Sequence, residues 1–144
     1  MSKPNIVIGC DHAGYSLKEY LIKELSSNVD FTDKGTHNDE SVDYPDYAHA
    51  VSNAIERGEY DFGILICGSA NGVAIAANKH PNVRAAICWM DEISKLARAH
   101  NNANIICLPA RYLSEEEALK SVNTFIETEF ESGRHLRRVD KINL

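Results

Sequence analysis

One cysteine stands where a side chain could act on a substrate. Cys67 ends the apolar run 62–67 and precedes a glycine-flanked loop and the start of a helical segment. Backbone N–H groups and the helix dipole at such a position favour a thiolate, which can serve as a general base or a nucleophile. The alternative is a cysteine buried in the core, the ordinary role of this residue type.

The loop after Cys67 could bind an anion. Its backbone N–H groups suit a phosphate or the oxygen of an enediolate. It lacks the lysine of a P-loop, so a nucleoside triphosphate is not favoured, and a plain strand-to-helix turn is the alternative. The loop comprises Gly68, Ser69, Ala70, Asn71 and Gly72.

Asp11 and His12 follow the first apolar run of the chain. The pair could do acid–base work, or His12 could contact an anion; alternatively, Asp11 caps a helix and His12 is solvated. Gly9, Gly14 and Asp33 suggest a dinucleotide site. However, the glycine spacing is G-x-x-x-x-G and not G-x-G-x-x-G, which disfavours that interpretation.

Arginines near the end of the chain could hold a phosphate. Arg134 and Arg138 are four residues apart and share one face of a helix. Arg111 follows the fifth apolar run and could join them, whereas a solvated tail that pairs with nearby glutamates is the alternative. His100 and Asn101 close a helical segment, where a helix-cap interaction of the histidine is the simpler interpretation.

Composition restricts the partners of the protein. With 15 basic and 21 acidic residues among 144, the net charge of −6 argues against broad binding to nucleic acid or an anionic membrane. No apolar run approaches the roughly 18 residues that span a bilayer, and none resembles a signal peptide, so we expect a cytoplasmic protein. The four cysteines and six histidines are scattered, which predicts reduced thiols and no metal site.

Five apolar runs alternate with amphipathic segments. The runs predict strands at 5–10, 29–33, 62–67, 85–88 and 104–108. Helices are predicted at 14–26, from Pro45 to Gly58, in a short segment before Pro81, at 92–100, from a Ser114/Glu117 capping box to about residue 132, and in the tail.

This alternation predicts an α/β fold. We expect a three-layer αβα sandwich with a five-stranded parallel sheet, Rossmann-like or flavodoxin-like, in one domain over residues 1–144 with a basic C-terminal tail at about 134–144. Ligands of such folds bind beyond the carboxyl ends of the strands, at the switch point of strand order. If the first and third strands are neighbours, Asp11, His12 and loop 68–72 line one crevice.

Eight motifs together resemble the ribose/galactose isomerase family, which comprises the type B ribose-5-phosphate isomerases and the galactose-6-phosphate isomerase subunits. The resemblance covers nearly the whole chain, and the joint order and spacing of the motifs are specific although each is weak alone. The motifs are Gly9-Cys10-Asp11-His12-Ala13-Gly14, Asp33-Lys34-Gly35-Thr36, Asp43-Tyr44-Pro45, Ile66-Cys67-Gly68-Ser69, Asn71-Gly72, Ala76-Ala77-Asn78-Lys79, Arg98-Ala99-His100-Asn101 and Gly133-Arg134-His135.

The resemblance implies a cytoplasmic enzyme that interconverts D-ribose 5-phosphate and D-ribulose 5-phosphate, in the non-oxidative branch of the pentose phosphate pathway, without a metal or an organic cofactor. It implies that Cys67 is the base that moves a proton between C2 and C1 through an enediolate. The backbone of loop 68–72 would then stabilise the oxyanion, and Ser69 would assist proton movement between the two oxygens.

The resemblance also implies how the substrate is held. His100, helped by Asp11, would open the furanose ring, and Asn101 would bind a sugar hydroxyl. It further implies a homodimer whose sites combine both chains, with His100 supplied by the partner, and it leaves a tetramer open. The phosphate would be held by His12, Arg111, Arg134 and Arg138.

Two residues depart from the family pattern. Ala70 and Pro109 stand where glycine is usual. Alanine is costly if position 70 needs a positive φ, and Pro109 removes an N–H just before Arg111.

Isomerisation of galactose 6-phosphate or allose 6-phosphate is the alternative activity, and a non-catalytic nucleotide- or phosphosugar-binding module is the alternative of another class.

Overall fold

The five apolar runs form one parallel sheet. A computed structural model of the chain describes residues 2–144. The sheet has the order β2-β1-β3-β5-β4, and every neighbouring pair is parallel. The strands are β1 Asn5–Cys10, β2 Asp30–Asp33, β3 Phe62–Cys67, β4 Ala85–Ile87 and β5 Ile105–Pro109.

Six helices connect and follow the strands. A 3-10 turn, His12–Gly14, precedes the first helix, so the predicted helix at 14–26 begins in a tighter turn. No helix within residues 2–144 has both the length and the apolar character needed to cross a membrane. The helices are α1 Tyr15–Leu25, α2 Tyr44–Glu56, α3 Asn71–Ala77, α4 Asp91–Asn101, α5 Glu115–Glu127 and α6 Gly133–Val139.

The helices cover both faces of the sheet. Because side chains alternate along a strand, Ile6 and Ile8 pack with α1, α4 and α5, whereas Val7 packs with α2 and α3. The central strands are therefore buried on both sides, which explains why they are almost entirely apolar. The predicted α/β fold with three layers and a five-stranded parallel sheet is confirmed.

The first and third strands lie side by side. Cys10 is in register with Ile66, so Asp11 and Cys67 follow on neighbouring strands at the carboxyl edge. Gly14 allows the turn after β1 to lie against β3, because a Cβ atom there would lie 2.7 Å from Ile66 Cγ2. The switch point of strand order lies between β1 and β3, as the crevice interpretation required.

The helix predicted to extend from Ser114 to about residue 132 ends at Glu127. Its capping box is present, with Ser114 Oγ accepting from Glu117 N–H at 3.1 Å. At the other end, Thr128 takes an extended conformation, and its carbonyl accepts a hydrogen bond from Arg98 Nε at 3.2 Å. The prediction was wrong there because contacts with α4 hold segment 128–132 in a non-helical path.

Candidate active site

A cleft of about 240 Å³ opens at the carboxyl edge of β1, β3 and β5. It unites residues from four separate parts of the chain, as expected of ligand sites at a switch point. Six of its lining residues were predicted from the sequence, and two tyrosines were not. The lining comprises Asp11, Tyr44, Cys67, Gly68, Ser69, Gly72, Arg111 and Tyr112.

Cys67 differs in its surroundings from the other three cysteines. It ends β3 on the wall of the cleft and is 5% exposed. Burial raises the pKa of Cys10 and of Cys88 to about 12 and raises the pKa of Cys107 well above its ordinary value. None of those three cysteines lines the cleft, so Cys67 is the cysteine placed to react with a ligand there.

Loop 68–72 presents unpaired backbone N–H groups. Within residues 2–144, no group accepts a hydrogen bond from the backbone N–H of Gly68, Ser69 or Ala70. Ser69 Oγ is held by Asn71, which donates to it from Nδ2 at 3.2 Å. Several donors therefore surround the end of β3, where a developing oxyanion could be stabilised.

Ala70 adopts the left-handed conformation, with φ 67° and ψ −11°. A positive φ at position 70 was the condition under which alanine was expected to be costly. The penalty for a residue other than glycine is about 1 kcal/mol. The Ala70 methyl group is fully buried among the side chains of α2 and α3. Its burial offsets part of the conformational cost, by roughly 0.8 kcal/mol.

Arg111 reaches the cleft despite the preceding Pro109. Pro109 ends β5 opposite Cys67, and the chain then turns, with Ala110 N–H donating to Cys67 O at 2.9 Å and Arg111 N–H donating to Gly68 O at 3.1 Å. The guanidinium lies against Gly68, where a Cβ atom would be 3.0 Å from Nη1. Proline at position 109 is therefore compatible with a cation over the loop.

Asp11 caps the turn that follows β1, as the simpler alternative proposed. Its Oδ1 accepts from Ala13 N–H at 3.0 Å and from Gly14 N–H at 3.2 Å. No residue within 2–144 donates to Oδ2, and Asp11 also lines the cleft. The cap fixes this carboxylate in place and leaves one oxygen for a ligand.

His12 is oriented by the loop before α2. Its Nδ1 accepts a hydrogen bond from Val42 N–H at 3.2 Å. The other ring nitrogen, Nε2, therefore carries the proton and is available as a donor. A donor suits an anion such as a phosphate.

Tyr44 and Tyr112 were not predicted as site residues. Tyr44 begins α2, and its ring fills the space beside Gly72, where a Cβ atom would lie 2.5 Å from Tyr44 Cε1. Tyr112 is 75% exposed at the rim of the cleft. In the sequence, Tyr44 stands next to Pro45, which signals the start of a helix. This adjacency was the signal that could have placed Tyr44 near the site.

Four predicted site residues lie away from this cleft. His100 and Asn101 end α4, which starts after β4 at the carboxyl edge and returns to the amino edge before β5. Its 11 residues span about 16 Å. Arg134 and Arg138 lie on α6, which packs against α4, and Arg138 Nη1 donates to Arg134 O at 3.0 Å.

The structure of one chain differs from two expectations about Arg111, Arg134 and Arg138. Within one chain, Arg111 does not join Arg134 and Arg138, because the three are anchored at opposite edges of the sheet. The expected alternative, ion pairs of the tail with nearby glutamates, is not found within residues 2–144 for either Arg134 or Arg138. Both guanidinium groups are exposed on a short helix.

Comparisons with known proteins agree with this architecture. Residues 6–142 match the model of a family described as Ribose/Galactose Isomerase. The chain is 41% identical over 138 residues to ribose-5-phosphate isomerase B of Escherichia coli (strain K12), a match that covers 95% of this chain and 93% of that protein.

Two solved structures superpose closely on the chain. A ribose 5-phosphate isomerase from Thermotoga maritima gives a TM-score of 0.96 at 46% identity and covers 99% of both chains. Ribose-5-phosphate isomerase B from Mycoplasma genitalium, solved with bound ribulose-5-phosphate, gives 0.91 at 41% identity and covers 96% of this chain and 93% of that one.

Proposed function

Because the chain belongs to the ribose/galactose isomerase family, we infer that it is an aldose–ketose isomerase that interconverts D-ribose 5-phosphate and D-ribulose 5-phosphate. The relatives support this substrate, since one of them was solved with bound ribulose-5-phosphate. The whole chain serves as one sugar-phosphate isomerase domain. Four unpaired cysteines fit a reducing compartment, and we place the enzyme in the cytoplasm.

The observation that carries the chemistry is Cys67 at the wall of the cleft beside unpaired N–H groups. In open-chain ribose 5-phosphate, the Cys67 thiolate removes the proton from C2, and the electron pair moves to the carbonyl oxygen at C1. The resulting enediolate is stabilised by the N–H groups of loop 68–72. Ser69 passes a proton between the two oxygens, and the Cys67 thiol returns its proton to C1 to give the ketose.

Binding of the phosphate and opening of the furanose ring need residues from a second copy of the chain. His100, Asn101, Arg134 and Arg138 are anchored at the amino edge of the sheet, whereas Cys67 lies at the carboxyl edge. In a homodimer, the amino-edge residues of one chain can meet the cleft of the other. His100 then opens the furanose with Asp11, Asn101 binds a hydroxyl, and the two arginines join Arg111 and His12 on the phosphate.

Ketose formation from ribose 5-phosphate by the purified protein tests this function. We expect the wild type to turn over and Cys67→Ala to lose about 10²–10⁴-fold in kcat, as expected for loss of a general base. Cys88→Ala is the matched control, because Cys88 is fully buried and outside the cleft. It should retain turnover.

The outcomes separate the alternatives. Equal turnover by Cys67→Ala and the wild type would remove the cysteine from the chemistry while leaving the isomerase intact. A folded wild type inactive on ribose 5-phosphate but active on galactose 6-phosphate or allose 6-phosphate would change the substrate. Phosphosugar binding without turnover of any of them would support a binding module.

A further inference from the structure

The fold brings together three side chains of types that can bind a metal ion. Their scattered positions in the sequence gave no indication of such a cluster. His100 comes from the end of α4, Glu131 from segment 128–132 and His135 from α6. Glu131 Oε1 lies 3.8 Å from His100 Nε2 and 3.7 Å from His135 Nε2. The donor atoms of the three residues all lie within 4.8 Å of one another.

Backbone contacts hold this cluster in place. Glu131 N–H donates to Ala99 O at 3.0 Å, which ties segment 128–132 to the last turn of α4. His135 N–H donates to Ser132 O at 2.9 Å, and its side chain is only 15% exposed. The ring of His135 stacks on the ring of His100, with centroids 4.1 Å apart. The donors are therefore close together before any ligand binds.

The donor set matches the preferences of zinc. Two imidazoles and a carboxylate, with bonds of about 2.0–2.2 Å, form three corners of a tetrahedral site whose ligand atoms lie about 3.3 Å apart. The distances from Glu131 Oε1 to the two ring nitrogens exceed that separation by only about 0.5 Å. The two rings must turn out of their parallel stack so that both lone pairs converge on one ion.

Access and charge also permit an ion here. The side chains of Glu131 and His100 are 60% and 38% exposed, which leaves an entry path and a fourth position for water. The Glu131 carboxylate supplies a negative charge beside the two imidazoles, which favours a cation. Arg134 and Arg138 are nearby and oppose a further positive charge, so we expect moderate affinity.

We propose that His100, Glu131 and His135 form an inhibitory site for Zn²⁺ or a similar transition-metal ion. A bound ion occupies the imidazole nitrogen of His100 and thereby removes the group that opens the furanose ring. The binding site stands on the geometry alone, whereas the inhibition rests on the proposed function.

Titration calorimetry with zinc chloride in phosphate-free buffer tests the binding. We expect one ion per chain for the wild-type protein and at least a tenfold weaker affinity for His135→Phe, which keeps an aromatic ring on His100 but removes the donor. His80→Gln is the control for the chain's other close imidazole pair, in which His49 Nδ1 and His80 Nε2 are 2.7 Å apart. It should bind zinc as the wild type does.

Inhibition is measured as the ratio of rates with and without zinc for each protein. We expect zinc to slow conversion of ribose 5-phosphate more than conversion of ribulose 5-phosphate, which cannot close to a furanose, and we expect a chelator to reverse the effect. Equal zinc affinity of His135→Phe and wild type, or loss only in His80→Gln, would overturn the site. Zinc binding to a protein without isomerase activity would refute the proposed function and leave the site standing.

Discussion

At the scale of single residues, the four cysteines should differ in reactivity. We expect iodoacetamide near neutral pH to alkylate Cys67 selectively, because the attacking species is the thiolate and burial raises the pKa of Cys10 and Cys88 to about 12. Mass spectrometry of the intact and digested protein gives the site and the stoichiometry. Ribose 5-phosphate should slow the labelling, since Cys67 lines the cleft.

A Cys67→Ser protein is the control for this experiment and should resist alkylation. Labelling spread evenly over the cysteines, or unaffected by phosphosugar, would contradict the assignment of Cys67 to the ligand cleft. Equal labelling of Cys107 would further contradict its complete burial, since no part of its side chain is exposed.

At the scale of elements, the packing of turn His12–Gly14 against β3 depends on Gly14. A Cβ atom there would meet Ile66 Cγ2 at 2.7 Å and Ile66 O at 2.8 Å, and a backbone oxygen cannot move away as a flexible side chain can. We expect Gly14→Ala to lower the free energy of unfolding by about 1–3 kcal/mol. It should also reduce kcat, because the turn that carries Asp11 shifts away from Cys67.

Gly58→Ala is the matched control for Gly14→Ala. Gly58 has φ +72° and open space around it, so alanine costs about 1 kcal/mol through the backbone alone and leaves kcat unchanged. Urea denaturation and steady-state kinetics measure both variants. Equal kinetic effects of the two substitutions would mean that the contact of Gly14 with Ile66 does not position the site.

Local sequence signals predicted the strands and most helix starts. The run 62–67 and the Ser114/Glu117 capping box lie in the structure where the sequence placed them. The end of α5 could not be predicted, because it depends on Arg98, a partner 30 residues away in the chain. The same holds for the site: Cys67 carries a positional signal at a strand end, whereas Tyr44 enters through tertiary packing against Gly72.

At the scale of the whole molecule, stability should fall in alkaline solution. Three buried thiols have pKa values above their ordinary value of about 9, so they stay protonated in the folded chain after the unfolded chain has lost those protons. The unfolded state then binds fewer protons, and the free energy of unfolding decreases as pH rises above about 9 toward 12.

Urea denaturation between pH 7 and 10 measures this decrease. Each thiol contributes at most about 1.4 kcal/mol per pH unit. Cys88→Ala should show a shallower slope than the wild type, because it removes one of the three groups. A stability that stays constant from pH 8 to pH 10 would show that burial of these thiols is not linked to folding.

The opposite locations of Cys67 and His100 lead to a prediction about subunits. Cys67 ends β3 at one edge of the sheet, and His100 ends α4 at the other, so one chain alone cannot bring them together. If each site combines two chains, then Cys67→Ala and His100→Asn proteins, each inactive on ribose 5-phosphate, should complement each other. A mixed dimer has one site with both native groups and one site with neither.

Denaturing the two variants together and refolding them should recover about a quarter of the wild-type activity, because half of the dimers are mixed and each has one working site. Each variant refolded alone is the control and should stay inactive. Recovery should rise with the mixed fraction and reach its maximum at an equimolar ratio. No recovery from a mixture that contains folded mixed dimers would mean that each site takes Cys67 and His100 from the same chain, which would contradict a site shared between two subunits.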